Sequence, residues 1–120
     1  MKYHIEGLTL AVTHMEEMLS FYKAVFNLEF EAQEMHGFTL YKTQWADLSL
    51  LFCPASLAQN TATQNRHQFD IIVSDLEAVM ATAKANHGEL MQEPAEMEGV
   101  KSVGIYDPDR NSMVFKQLPQ

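Results

Sequence analysis

Leu8, Leu10 and Val12 alternate with Gly7, Thr9 and Ala11, a period of two that predicts a strand over 4–12 with one apolar face. From His14 onward the period lengthens. Met15, Met18, Leu19, Tyr22 and Phe26 recur at three- and four-residue spacing, which predicts a helix closed by Asn27 in a left-handed cap. Three short strands are expected next, at 28–32, 38–42 and 47–52, with His36-Gly37 as the first hairpin turn. The stretch 54–66, rich in Ala, Gln, Asn and Thr and without apolar pattern, reads as a linker or surface loop.

The pattern then repeats. Residues 69–75 alternate as a strand that ends on a capping aspartate, Leu76, Val79, Met80 and Ala83 form a helical stripe, and Gly88 is placed to stop it. Three more strand candidates follow. An offset of 61 superposes Val12 on Val73, His14 on Asp75, Glu16 on Glu77 and Asn27 on Gly88, so the chain reads as an internal duplication. The expected fold is α+β, one domain over 1–120 made of two βαβββ modules (4–53 and 67–118) that form paired, curved mixed sheets around a concave groove. Neither module closes a core alone, so the sheets are expected to join within one chain or across a homodimer.

Composition narrows the function. Sixteen acidic residues against eight basic ones give a formal charge of −8, which disfavours phosphate backbones and anionic lipid as partners and favours a ligand of cationic character. The same charge also serves solubility alone. A single cysteine, Cys53, excludes an intramolecular disulfide and a zinc ribbon. No apolar run is long enough to span a bilayer, and the opening MetLysTyrHisIleGlu is not a leader pattern, so no membrane partner and a cytoplasmic location are expected. Five histidines, at positions 4, 14, 36, 67 and 87, lack the spacing of a metal or catalytic set. Met15, Met18 and Met80 sit on the helical stripes and read as core.

The segment ThrLeuAlaValThrHisMetGluGluMetLeuSerPheTyrLysAlaValPheAsnLeu at 9–28 resembles the first module of the vicinal-oxygen-chelate superfamily, the glyoxalase, bleomycin-resistance and extradiol-dioxygenase group. Phe21-Tyr22 matches that family's helix, ValSerAspLeu at 73–76 repeats its strand-to-helix cap, and AspProAspArgAsn at 107–111 resembles its turn before the last strand. His14 departs from the usual capping aspartate, Asn27 stands for a glycine, and Arg110 replaces the glycine of the turn. The resemblance implies up to four metal ligands drawn from His, Glu and Gln, which map onto Gly7, Ser49, Gln68 and Val114. Glycine and valine carry no donor, so a metal site and any other cofactor are expected to be absent. A one-residue slip that recruits His67 would turn Asp70 into the core.

Parity then nominates a ligand-binding face. With Leu8, Leu10 and Val12 under the helices, Thr9, Asp47, Ser49, Gln68, Asp70 and Lys116 are expected to line the groove, with Trp45 and Tyr106 as aromatic walls. Trp45 serves equally as a cap on the sheet edge, and Lys116 as a solvated side chain. Two function classes remain open. One is a metal-free module that binds a small molecule in a groove at a dimer interface, as the resemblance to bleomycin-type resistance proteins implies. The other is an enzyme, a glyoxalase-type lyase, isomerase or dioxygenase, metal-dependent or using Asp70 as base.

Overall fold

The computed structural model describes residues 2, 6–65 and 67–120; His4 lies outside them. Two compact units, Met1–Thr61 and Ala62–Gln120, divide the chain. The first runs β1 (Gly7–Val12), α1 (Met15–Phe26), β2 (Glu31–Met35), β3 (Phe38–Trp45), β4 (Leu48–Pro54) and the single-turn α2 (Ala55–Ala58). In the second, β5 (Phe69–Ile72) and α3 (Leu76–Ala85) lead into β6 (Glu89–Leu90), β7 (Ala95–Met97), β8 (Val100–Tyr106) and β9 (Ser112–Gln117). The fold is α+β. One mixed sheet has the order β1-β4-β3-β2; in the other, β5-β9-β8-β6 carries β7 as a further partner of β8. In each, the first strand pairs in parallel with the last and the remaining pairs are antiparallel.

Helix α1 buries Met18, Phe21 and Tyr22. Tyr22 meets Phe52 of β4 edge-on at 5.1 Å, which seats the helix on the face carrying Leu50 and Phe52, both fully buried. Asn27 takes the left-handed conformation expected of it (φ 55°) and closes the helix with its backbone N–H on the Lys23 carbonyl. The cap at the other end is weak: His14 makes no side-chain capping bond. In the second unit the carboxylate of Asp75 does accept from Ala78 N, at 3.1 Å, and Gln117 Oε1 accepts from Leu76 N at 2.8 Å. There the left-handed turn after the helix falls on His87 (φ 70°), one residue before the expected Gly88.

Other boundaries move for identifiable reasons. The second strand begins at Glu31, not at 28, because Phe30 is drawn onto Phe52 at 4.9 Å before the chain can enter the sheet. His36 and Gly37 both have positive φ (51° and 83°), the geometry of a tight hairpin, and Glu98-Gly99 repeats it (54° and 81°). Within 54–66 the structure has the helical turn α2 rather than uninterrupted loop, since Ala55–Ala58 are good helix formers. The second unit splits its second strand into β6 and β7 around a bend that contains Pro94, which has no N–H to give a ladder. Among the described residues no helix is long and apolar enough to cross a membrane.

Candidate functional site

Each sheet has a face packed under its helix and an opposite, open face, and register assigns every residue to one or the other. On the first sheet Leu8 pairs with Leu50 and Leu10 with Phe52 under the helix, so Gly7 with Ser49 and Thr9 with Leu51 take the open face. Lys42 lies opposite Leu51 and Gln44 opposite Ser49, which puts both on that open face. Leu40 and Cys53 share it but are buried, so its accessible part is the Gly7 end. There a depression of about 250 Å³ is lined by Glu6, Gly7, Leu8, Thr9, Gln33, Lys42, Ser49 and Leu51.

On the second sheet Phe69 pairs with Met113 and Ile71 with Phe115, and both partners are buried. Asp70 therefore lies on the open face beside Val114. Its carboxylate has a partner: Lys116 Nζ is 3.4 Å from Oδ2, and the two side chains are 37% and 61% exposed. The pair is solvated, so Asp70 is neither an isolated buried charge nor a base held apart from cations. Gln68 Nε2 donates to Ser112 Oγ at 3.0 Å. Asn65 extends this strand pairing with its side chain, since its amide bonds both the N–H and the carbonyl of Ser112, each at 3.0 Å. Tyr106 also belongs to the open face, opposite Ser112. Arg110 covers its ring, with the guanidinium carbon 4.0 Å from the centroid, and is tied to Glu89 at 2.5 Å.

Two expected groove residues lie elsewhere. Trp45 pairs with Leu48 on the helix-packed face and stacks edge-on against Phe26 (5.1 Å) and Tyr22 (5.8 Å) of α1. It is part of the first unit's core wall, not of the open face. Asp47 is exposed in the two-residue turn between β3 and β4 and belongs to neither face. Lys42, Gln33 and Gln44 were not anticipated. For two of them the signal was present: Lys42 and Gln44 alternate with Tyr41, Thr43 and Trp45 in one continuous strand, whereas Gln33 lies on β2.

The positions that would hold a metal offer a poor donor set. A Cβ built on Gly7 would meet the Ser49 backbone oxygen at 2.7 Å, closer than real Cβ atoms come, so no ligating side chain fits there on this backbone. Val114 has no donor, and among the described residues no group of three or more His, Cys, Asp or Glu side chains is gathered to hold an ion.

The family model for the Glyoxalase/Bleomycin resistance protein/Dioxygenase superfamily matches residues 4–115. Among solved structures, a glyoxalase-related enzyme from Fulvimarina pelagi is similar over 95% of this chain and 87% of its own, at TM-score 0.79 and 14% identity. The fosfomycin resistance protein FosX from Listeria monocytogenes matches over 98% and 94%, at TM-score 0.75 and 16% identity. A glyoxalase/bleomycin resistance protein/dioxygenase family enzyme from Burkholderia phytofirmans gives 94% and 97%, at TM-score 0.72 and 17% identity. At these identities the likeness concerns the fold. No curated protein sequence matches the chain.

Proposed function

Because the chain belongs to the Glyoxalase/Bleomycin resistance protein/Dioxygenase superfamily, we propose that it is a small-molecule-binding protein that takes its ligand on the open face of its sheets without a divalent metal. Gly7 carries this reading. Where the family pattern asks for a donor, the chain has a residue with no side chain, backed by a carbonyl 2.7 Å from any Cβ. Neither Ser49 nor Gln68 replaces it, because a neutral hydroxyl and one amide oxygen are weak ligands for a divalent ion. What the open faces do offer is hydroxyls, amides and paired charges, the groups that orient a small polar ligand.

The protein acts as a homodimer on this reading, with the ligand groove completed at the subunit interface. Each sheet ends in strands with one unpaired edge, and β2 is exposed along its whole length, a liability commonly relieved by association. A catalytic alternative with Asp70 as general base has less support, since its carboxylate is paired with Lys116 at 3.4 Å and solvent reaches both groups. Metal analysis of dialysed protein is the direct test: no stoichiometric nickel, zinc, iron or manganese is expected. One tightly bound equivalent would overturn the metal-free reading. Light scattering should give twice 13.7 kDa, and a monomer at micromolar concentration would remove the dimer.

A further inference from the structure

We infer that the depression on the open face of the first sheet is a site for a small zwitterion, a molecule with one ammonium group and one carboxylate or comparable oxyanion. The inference rests on the metal-free binding reading above. Its floor is bare: Gly7 contributes only backbone, and Leu8 and Leu51 are the apolar residues among the polar ones that line it. A glycine inside a strand lets a ligand approach the main chain closely. Thr9, Leu51 and Lys42 form a single cross-strand row, and with strands about 4.8 Å apart the outer two backbones are roughly 10 Å from each other. That span suits a molecule of a few heavy atoms, as does the volume of about 250 Å³.

The side chains of Thr9, Gln33, Lys42 and Ser49 have no hydrogen-bond or ion-pair partner among the described residues. Lys42 stands directly across the strand pair from Glu31 yet forms no ion pair with it. One free ammonium, two hydroxyls and an amide thus converge where an oxyanion would need them, without a metal to neutralise it. Glu6 also lines the depression, and its carboxylate is the complement of an ammonium. Net charge decides between ligand classes. At −8 the chain repels a simple anion at long range, whereas a zwitterion has no net charge to repel. Among the described residues that line it there is no aromatic side chain of the kind on which sugars commonly stack.

Titration of the dialysed, isotope-labelled full chain with β-alanine, followed by backbone amide shifts, tests the site. Propionate and ethylamine, each lacking one charged end, are the controls. β-Alanine should move the amides of Gly7, Thr9, Lys42 and Ser49, and each control should bind at least about tenfold more weakly. Lys42→Gln and Glu6→Gln, both at exposed positions, should each cost a comparable factor while leaving the rest of the spectrum in place. Propionate binding as tightly as β-alanine would overturn the proposal, as would unmoved amides around Gly7. A stoichiometric metal in the same dialysed sample would overturn the metal-free reading beneath it, whereas a missing β-alanine response with no metal present overturns the zwitterion alone.

Discussion

Replacing Gly7 by alanine isolates the geometric fact on which the metal-free reading depends. The added Cβ would sit 2.7 Å from the Ser49 carbonyl oxygen and 3.2 Å from the Ser49 Cβ, where ordinary contact begins at 3.4 Å. Neither neighbour is the free end of a flexible side chain. β1 must therefore shift away from β4 by several tenths of an ångström, next to the 3.0 Å hydrogen bond from Ser49 N to the Glu6 carbonyl. Overpacking of this kind costs about 1–3 kcal/mol. Alanine returns about 0.5–1 kcal/mol because it restricts the unfolded chain more than glycine does. The net loss is about 1 kcal/mol within a range of about 0–2.5, and at about 4 °C per kcal/mol for a cooperative unit of roughly this length, Tm falls by about 4 °C and at most by about 10 °C. Thermal unfolding followed by circular dichroism, with urea titration to verify an unchanged m-value, reads it directly. A Tm above that of the unsubstituted protein would refute the argument. Position 7 would then be open to a side chain, and Gly7→His with zinc titration would become a fair attempt to rebuild a metal site. On the present geometry that variant binds no zinc.

Three further outcomes follow from the packing. Asp107, 1% exposed, accepts from the backbone N–H groups of Asp109 and Asn111 and from Asn111 Nδ2, each at 2.9 Å. Asp107→Ala should lower unfolding free energy by about 3 kcal/mol and Asp107→Asn, which keeps one acceptor oxygen, by less than half of that, as read from urea midpoints. Trp45→Ala should cost about 2–4 kcal/mol by stripping the wall against Tyr22 and Phe26, while β-alanine binding persists; lost binding with intact stability would return Trp45 to the ligand face. Asp70→Asn should change stability by less than about 0.5 kcal/mol, since its ion pair is solvated, and a loss beyond about 1.5 kcal/mol would mean the carboxylate is far more enclosed than its exposure indicates.

Period alone made the repeated strand-helix start of each unit legible, because both apolar faces run unbroken through β1 and α1 and again through β5 and α3. Turn chemistry located His36-Gly37, where two consecutive positive φ values leave few residue pairs eligible. Boundaries were less visible. Whether Phe30 belongs to a strand or to the core beneath it depends on Phe52, more than twenty residues away, and no local pattern carries that contact. The split between β6 and β7 depends likewise on Met91, which lies against Gly104: a Cβ there would meet the Met91 sulfur at 2.6 Å. The chain dips onto the sheet where a glycine leaves room, and a glycine in a strand does not say what will fill it.

The open face was readable wherever alternation ran through one strand and misread where it was carried through a turn. Thr9 and Ser49 were assigned from odd positions on β1 and β4, and the parallel pairing of Gly7 with Ser49 keeps those positions together. Between β3 and β4, however, the turn contains two residues, Ala46 and Asp47, so that Trp45 pairs with Leu48 and odd positions on one strand share a face with even positions on the next. Counting straight through therefore carried Trp45 to the ligand side and left Lys42 and Gln44 unassigned. The error inverts the chemistry of that face. With Trp45 on it, the first sheet would present an aromatic wall under an acidic field, a setting for a bulky cation. With Trp45 against α1 and Lys42 in its place, the same face presents an ammonium that no carboxylate of the described residues has claimed. A two-residue hairpin thus decides which charge that face presents, and this is why, for the proposed zwitterion site, the discriminating variant is Lys42→Gln rather than a change at any aromatic residue.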